Sequence, residues 1–372
     1  MLPLGIKKAI IGDSKKFSKK RRSYEMPKYC PNDHYKHLCS SEYYHALIVL
    51  RHHIKVVSDY YFGVKQKAKN VDLFMFTSSV SSPMGPGSDS EPVSIKFGKL
   101  KTFLVDSSQF GFEPLLLNGL NKVYCYLPSM RGEECDKRHL SQFYHCEMEM
   151  KGKLEKLIPI IEGYVKILAE TFLLMENIIN KISKNPLKTK KHLMEILNVK
   201  NFPKITFDEA VDILVENDKK ELINFTEHGN DISSDGEIEL MRILKIKTPL
   251  WITNFDRDRV PFYQKPDPGN NKKTINADLI FPPVIKKSFG GEIVGAGQRQ
   301  DNVREILESL KRQKNISPKP YGWYIDLRKQ VGYETTSGFG LGIERFIAWS
   351  LGKNDIKDVI LYPRIKNNKT CP

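Results

Sequence analysis

The stretch GFGLGIERF, residues 338–346, alternates glycine with large apolar residues and then places Glu344 and Arg345 directly behind them. Glycine is costly inside a strand or a helix, so glycines at alternate positions indicate that something lies close against the backbone. The segment IERFIAWSLG, which follows, predicts a helix with Gly352 near its C-cap. The stretch therefore predicts a strand that leads directly into a helix.

Other strand-like segments lie on both sides of a long helical region. The runs VSIKFG, KTFLVDSSQF, NKVYCYLPSM and HLSQFYHCEMEM predict a mostly antiparallel sheet over residues 93–150. After the polar segment TEHGNDISSDGEIEL, strand signals return in TPLWITNF, ADLIFPPVI, GEIVGAGQR, YGWYIDLR and TSGFGLG. The segment DNVREILESLKRQK lies among them and predicts a surface helix.

Apolar residues at three- and four-residue spacing predict helices from Tyr43 onward and in KLEKLIPIIEGYVKILAETFLLMENIINKI. In TFDEAVDILVEND, Thr206 can cap a helix and Glu209 completes a capping box. We expect residues 151–250 to form a mainly helical insertion and residues 77–92, rich in Ser, Gly and Pro, to form a loop. The order of these elements predicts an α+β fold, with an antiparallel sheet flanked by helices.

The composition leaves several partners open. The 372 residues carry a formal net charge of +15, which is compatible with nucleic acid, anionic small molecules or a lysine-rich proteome. Residues 1–40 are predicted to be a basic extension, with eight Lys or Arg in the first 22 positions, and residues 41–372 a single catalytic domain. We see neither a long apolar span nor a signal peptide, so a cytoplasmic location without membrane contact is the default expectation.

Two arginines from separated segments are candidate phosphate ligands. Arg131 lies in SMRGEECDKRHLSQF and Arg345 in the opening stretch, each with acidic neighbours. The planar donor fork of arginine matches phosphate oxygens, so the pair can hold different phosphates of one nucleotide. Structural ion pairs with the neighbouring glutamates are the alternative.

Two carboxylates are candidate Mg²⁺ ligands. Asp278 in NADLIFP and Glu292 in GGEIVGAGQR lie on predicted strands of the same sheet. Mg²⁺ takes one or two protein carboxylates and completes its shell with phosphates and water. Beside phosphate-binding arginines, the two residues together predict a Mg²⁺ site.

Together these motifs resemble the class II aminoacyl-tRNA synthetases. RGEECDKRHLSQF is similar to their second signature motif and GFGLGIERF to their third. The segments DSSQFGFE, FPKITFDEAVDIL, WITNFDRDRVPFY, YGWYIDLRK and DVILYPR occur in the order that the asparaginyl branch shows, over about residues 45–366. The resemblance implies a homodimer with a six- or seven-stranded antiparallel sheet that joins an amino-acid carboxylate to ATP.

The resemblance also implies roles for individual residues. Arg131 would bind the α-phosphate and stabilise the charge that develops during attack, while Arg345 would hold the γ-phosphate. Phe143 would stack on adenine, and Asp278 and Glu292 would bind Mg²⁺. The remaining residues implied in ATP binding are Glu133, Arg138, His139 and Gly342.

The implied amino acid is asparagine, aspartate or a close analogue. In the aspartyl relatives a lysine stands three residues after the glutamine of the SxQ segment, whereas this chain has Phe112 there, as the asparaginyl branch does. Ser107 and Gln109 are expected to face the amino acid, and Arg328 matches the arginine that contacts the substrate side chain.

The chain departs from the family pattern in three places, and the first of these departures guides the functional hypothesis. About 40 residues precede the first motif region, too few for the N-terminal anticodon-binding barrel of the family. QVGYETTSG places Thr335 and Thr336 where relatives carry a short turn with Pro-His, near the amino-acid pocket. Gly295 stands where some relatives have a serine that assists the metal.

We therefore expect an enzyme that adenylates an Asp- or Asn-like amino acid and transfers it to ammonia or another small amine. The alternative is an asparaginyl-type tRNA ligase that acts without an anticodon-binding domain and binds tRNA through its acceptor stem and the basic extension. A third hypothesis is a regulatory protein that binds amino acid or RNA without turnover. A complete ATP site argues against this third hypothesis.

Overall fold

The computed structural model describes residues 1–18, 23–81, 91–314, 316–369 and 371. Its α-helices are α1 (Leu4–Lys15), α2 (His34–Ser40), α3 (Glu42–Asp59), α4 (Gln109–Leu117), α5 (Leu154–Leu174), α6 (Glu176–Ile182), α7 (Pro186–Asn198), α8 (Phe207–Glu216), α9 (Ser234–Ile243), α10 (Val303–Arg312), α11 (Gly322–Leu327) and α12 (Ile343–Ser350). Its strands are β1 (Lys69–Asn70), β2 (Phe76–Thr77), β3 (Ser94–Phe97), β4 (Leu100–Leu104), β5 (Lys122–Met130), β6 (Gln142–Lys151), β7 (Lys204–Thr206), β8 (Ile223–Thr226), β9 (Gly229–Ile232), β10 (Leu250–Thr253), β11 (Pro266–Asp267), β12 (Asn270–Thr274), β13 (Asn276–Phe281), β14 (Gly291–Gln298) and β15 (Thr336–Gly342).

The central sheet has eight strands in the order β1-β5-β6-β15-β14-β13-β10-β7. Every interior pairing is antiparallel, while the two edge pairings, β1 with β5 and β10 with β7, are parallel. The predicted α+β fold with a largely antiparallel sheet is confirmed. The sheet has one strand more than the resemblance implied, because the short strands β1 and β7 extend its edges.

The two faces of the sheet have opposite character because successive side chains of a strand point to opposite sides. Phe339 and Leu341 on β15 are fully buried in the main apolar core, and so is Val294 on β14. Helices α3, α5 and α12 contribute to that core. The intervening residues of the same strands, among them Gly338 and Gly340, face a polar cavity on the other side.

Residues 151–250 contain more strand than the sequence predicts. Helices α5 to α9 are there, but β7 joins the central sheet and β8 pairs with β9 in a hairpin. The predicted capping box at the start of α8 is confirmed, since Thr206 Oγ1 accepts the Glu209 N–H and the Glu209 carboxylate accepts the Thr206 N–H. None of the helices in the described ranges is long and apolar enough to cross a membrane.

One predicted strand is wrong. YGWYIDLR contains helix α11, Gly322–Leu327, instead of a strand. Tyr324 and Ile325 are buried in a local aromatic cluster, in which the rings of Phe110 and Tyr324 stack with centroids 4.5 Å apart. The apolar residues of this segment therefore pack against α4 rather than pair with a neighbouring strand.

Helix α1, at the start of the predicted N-terminal extension, docks against the rest of the chain. Leu2, Ile10 and Phe17 are buried, and α1 packs against α5 and α6. The Leu2 N–H donates to Glu170 Oε2 at 3.1 Å, and Lys7 Nζ lies 2.7 Å from Glu170 Oε1. Much of the basic run, residues 19–22, lies outside the described residues, as does most of the predicted loop at 82–90.

A pair of alanine substitutions on α1 tests this docking. Ile10 is fully buried, so Ile10→Ala is expected to lower the free energy of unfolding by about 2–5 kcal/mol. Leu4 is 68% exposed, so Leu4→Ala is expected to change it by less than about 0.5 kcal/mol. Urea denaturation measures both, and equal effects of the two substitutions would contradict the docking of α1.

Candidate active site

The main cavity of the described residues lies on the polar face of the central sheet, above β6, β15, β14 and β13. Its lining includes residues of α4, of the loop between β5 and β6, of the hairpin β8–β9 and of the start of α9. The structure brings together here the predicted residues Ser107, Gln109, Arg131, Arg138, His139, Asp278, Glu292 and Arg345. An adjoining recess adds the predicted residues Glu133, Phe143 and Gly342.

Four glycines form the floor of the cavity. Gly295 pairs with Gly340, and Gly297 pairs with Gly338, where β14 and β15 run antiparallel. All four line the cavity, so at this point the floor is bare backbone. The opening stretch of the sequence thus provides half of a surface on which polar side chains from other segments lie.

Buried polar groups lie directly over the floor. Any Cβ at 338 would overlap the Glu149 carboxylate, which receives two hydrogen bonds, of 2.9 and 2.8 Å, from Arg299. Burial would lower the pKa of Arg299, but the contact with Glu149 raises it instead, so the guanidinium stays charged. The absence of side chains on β15 therefore makes room for a buried ion pair.

The two predicted phosphate ligands line the same cavity with Glu292 nearby. Arg345 Nη1 donates to Glu292 Oε2 at 2.7 Å, and Arg345 Nη2 lies 3.3 Å from His139 Nε2. The Arg131 guanidinium lies over the Phe143 ring, 5.3 Å from its centroid. Within the described residues the buried Arg131 Nε has no hydrogen-bond partner. Donor capacity for an anion is therefore left over.

The loop between β5 and β6 is held against the sheet by Arg138. Its Nη1 donates to the Gly290 carbonyl at 2.5 Å, and its guanidinium lies 4.4 Å from the centroid of the Phe289 ring. In the same loop the Asp136 carboxylate accepts from the His139 backbone N–H at 2.8 Å and contacts its Nδ1 at 2.9 Å. These contacts fix the loop beside Arg345.

Carboxylates and arginines in the cavity shift one another's pKa. Burial, with the neighbouring Glu292 and Glu237 carboxylates, raises the pKa of Asp278. Burial would also raise the pKa of Glu292, but Arg345, Arg138 and Arg131 together outweigh burial and the pKa is lowered. Burial, opposed by Arg138 and reinforced by Glu292, raises the pKa of Glu237 to about 7. A cation placed beside Asp278 would relieve this repulsion.

His145 is a buried, neutral histidine close to Arg131 and Arg345. Burial, reinforced by Arg131 and Arg345, lowers the pKa of His145 to about 3, so its imidazole carries no charge near pH 7. Its Nδ1 lies 3.0 Å from Ser129 Oγ, and its ring meets Phe143 edge to face with centroids 4.8 Å apart. The positive charge at this place therefore comes from the arginines alone.

The predicted amino-acid ligands Ser107 and Gln109 face the cavity near β6. Ser107 Oγ donates to Glu147 Oε1 at 2.7 Å, and the Ser108 N–H donates to Glu147 Oε2 at 2.7 Å. Gln109 Oε1 accepts from Arg299 Nη2 at 2.6 Å, which directs its amide nitrogen elsewhere. Both side chains are thus oriented by buried charges that the sequence analysis did not identify.

Arg328 and the two threonines lie outside the set of residues that line the cavity. Arg328 is buried and bound to Glu113 at 2.8 Å, to Tyr324 and to the Gln300 carbonyl. Thr335 Oγ1 donates to Asp301 at 2.8 Å, and the buried Thr336 hydroxyl lies beside the Glu149 carboxylate. None of the three side chains is thus among those that line the cavity.

The sequence analysis missed several residues of the cavity. Glu147 was detectable, because the alternation in EMEM places it on the face of β6 opposite to Met148. Arg299 follows β14 directly and was detectable too, because it lies in the segment GEIVGAGQR that predicts this strand. Glu237 and the residues around it come from α9, within the predicted insertion, and Gln264 comes from a loop. No local pattern marks these last residues.

Comparison with known proteins identifies similar chains. The tRNA synthetases of class II (D, K and N) match residues 65–366. The asparagine–tRNA ligase of Thermococcus gammatolerans is 31% identical over 274 residues, 73% of this chain and 59% of that protein. That of Mycoplasma genitalium is 31% identical over 276 residues, 71% of this chain and 58% of that protein. The chain thus spans less than two thirds of the length of these relatives.

Solved structures agree with these matches. The asparaginyl-tRNA synthetase of Pyrococcus horikoshii, complexed with asparaginyl-adenylate, superposes with a TM-score of 0.78 at 26% identity, covering 91% of this chain and 72% of that one. The Entamoeba histolytica enzyme, in complex with the same adenylate, gives 0.75 at 25% identity, covering 93% and 73%.

These comparisons overturn the main functional hypothesis of the sequence analysis. Transfer to ammonia or another small amine is wrong as the main function, because the similar curated proteins are tRNA ligases for asparagine. They agree better with the alternative, an asparaginyl-type tRNA ligase.

Alanine substitution of one floor glycine tests the geometry of the cavity. Gly338→Ala brings a methyl group into the Glu149 carboxylate, so we expect the free energy of unfolding to fall by about 1–3 kcal/mol. Gly322→Ala is the control, because nothing lies within 4 Å of a Cβ at that position. Urea denaturation compares the two, and a Gly338→Ala protein as stable as the control would contradict the close approach.

Proposed function

The chain belongs to the class II tRNA synthetases of the D, K and N group, and we propose that it activates asparagine with ATP and transfers the asparaginyl group to tRNA. One observation carries the proposal: Arg131, Arg345, Asp278 and Glu292 converge on one cavity above the glycine floor. Attack of a carboxylate on the α-phosphate brings two anions together, so fixed positive charge and positioning supply most of the catalysis.

For ATP we propose that Arg131 binds the α-phosphate and Arg345 the γ-phosphate. The unpartnered Nε of Arg131 and its contact with Phe143 support this orientation. Phe143 would then stack on adenine beside Gly342, in the recess that both residues line. Glu133, Arg138 and His139, which line the same recess, would complete the nucleotide site.

For the metal we propose Mg²⁺ at Asp278 and Glu292. Asp278 pairs with Gly295 across β13 and β14, and both carboxylate side chains come within 4 Å of a Cβ at that glycine. Two carboxylates of this kind suit Mg²⁺, which keeps waters and shares phosphate oxygens. When bound, the ion would neutralise phosphate charge, while Arg345 holds the Glu292 carboxylate in place.

For the amino acid we propose contacts from Ser107 and Gln109. Phe112 is fully buried in an apolar cluster, so it offers no cation to attract the side-chain carboxylate of aspartate. This supports asparagine. Arg328 is a proposed ligand that reaches the amino acid only if Glu113 or Tyr324 moves aside, because its guanidinium already binds both.

Transfer to tRNA and assembly into a homodimer are further parts of the proposal. The net charge of +15 favours contact with the phosphate backbone of a nucleic acid. Exposed apolar side chains at Phe76, Phe97 and Leu100 on the small sheet of β2, β3 and β4 support a self-association surface. A cytoplasmic location is also part of the proposal.

Pyrophosphate exchange and aminoacylation test the function. The purified chain is expected to exchange pyrophosphate into ATP with asparagine and to charge total tRNA with it. Arg345→Ala should slow exchange by about 10²–10³-fold, the cost of removing a transition-state charge contact. Arg242→Ala, on an exposed arginine of α9, is the matched control. Exchange without any charged tRNA would disprove the acceptor, and exchange untouched by Arg345→Ala would disprove its role.

A titration with Mg²⁺ tests the metal site. Asp278→Asn keeps the size of the side chain but removes its charge, so the Mg²⁺ concentration for half-maximal exchange should rise by about tenfold or more. Asp235→Asn, on the first turn of α9 and outside the cavity, should leave it unchanged. An unchanged Mg²⁺ requirement in Asp278→Asn would remove that residue from the metal site.

A further inference from the structure

The side chain of Gln264 lies over Gly297, one of the four glycines of the cavity floor. A Cβ at 297 would overlap the Gln264 amide, so this glycine admits that side chain. Gln264 lines the cavity. Among the described residues, its buried Oε1 has no hydrogen-bond partner.

Backbone hydrogen bonds on both sides of Gln264 hold the loop beside the cavity that its side chain lines. The Lys265 N–H donates to the Gln298 carbonyl at 2.9 Å, and the Gln300 N–H donates to the Tyr263 carbonyl at 2.8 Å. Gln264 itself forms an isolated antiparallel bridge with Arg299. The backbone of this loop residue is therefore tied to the end of β14.

The unpaired oxygen indicates a ligand because the hydrogen bonds of the neighbouring Arg299 guanidinium run to other acceptors. Gly297 pairs with Gly338, over which the guanidinium of Arg299 lies. That guanidinium donates to Glu149 and to Gln109. A buried carbonyl oxygen without a partner is unfavourable, so its partner is expected to arrive with the substrate.

The position of Gln264 matches the far end of a short amino acid. The acidic pair Asp278 and Glu292 lies over Gly295, two residues along β14 from Gly297. Two strand residues span about 6–7 Å. An amino acid whose carboxylate lies beside Asp278 and Glu292 can therefore extend its side chain along β14 to Gln264.

We propose that Gln264 is a specificity-determining residue that accepts a hydrogen bond from the side-chain amide of asparagine. The inference rests on the proposed function, because it assumes asparagine as the amino acid. A carboxamide presents N–H groups to the Gln264 oxygen, whereas the carboxylate of aspartate has no hydrogen to donate. Glutamine can turn its amide to donate instead, so the selectivity it provides is moderate, about tenfold.

Substitutions of Gln264 test the inference in pyrophosphate exchange with asparagine and with aspartate. Gln264→Met preserves length but removes both polar atoms, so kcat/KM for asparagine should fall about tenfold, mainly through KM, and aspartate should change less than about twofold. Gln264→Glu keeps an acceptor and adds a negative charge, so the preference for asparagine over aspartate should rise. Gln330→Met, on an exposed glutamine, is the control.

A second variant reaches the same interaction without altering Gln264. Gly297→Ala forces the Gln264 side chain away from the floor, so it should reproduce the loss of preference seen in Gln264→Met. Circular dichroism verifies that each variant is folded. An equal loss for both amino acids, or no loss for either, would overturn the inference.

Calorimetric binding of asparagine separates this inference from the proposed function. If the unsubstituted protein binds asparagine without exchange and Gln264→Met weakens that binding about tenfold, the inference stands and the proposed activity fails. If the unsubstituted protein exchanges with asparagine and the preference of Gln264→Met is unaltered, the activity stands and the inference fails. If the unsubstituted protein does not bind asparagine, both fail.

Discussion

The backbones of β14 and β15 must come within reach of whatever occupies the cavity, and this closeness depends on residues that have no side chains. Gly295, Gly297, Gly338 and Gly340 alternate with apolar residues that fill the core on the opposite face of the sheet. The same strands therefore stabilise the fold with one face and expose bare backbone with the other. Charged groups from distant segments then lie over that backbone at Gly338 and Gly295. Fold and site are thus two consequences of one alternation.

Much of the fold was predictable because the signals are local. The period-two pattern of β14 and β15 and the capping box of Thr206 and Glu209 are found where the sequence places them. The helix α11 was not predictable in this way, since a short apolar run can pair as a strand or pack as a helix. What decides is contact with Phe110, about two hundred positions earlier in the chain. The docking of α1 likewise depends on α5 and α6, which a basic composition does not announce.

In the candidate site, too, residues with a local sequence signal were predictable and residues placed by tertiary packing were not. Side-chain chemistry and the family motifs together single out Arg131, Arg345, Asp278 and Glu292, and the structure gathers them in one cavity. Arg328 has a matching motif, yet its guanidinium is taken up by Glu113. Residues such as Glu237 enter the cavity from the insertion, where only tertiary packing brings them near. The acceptor was misjudged because the small number of residues before the first motif was weighed as a change of function, whereas the similar curated proteins are tRNA ligases.

The ion pair over Gly338 also constrains how this sequence can change over time. Glu149, Arg299 and Gly338 are far apart in the chain, yet the carboxylate fits only while position 338 has no Cβ, and the buried arginine is satisfied only while the carboxylate is there. A substitution at any one of the three leaves a clash or an uncompensated buried charge until another position changes too. Homologous chains should therefore retain all three residues or replace them in concert, and single intermediates should be rare. The three positions form one epistatic unit.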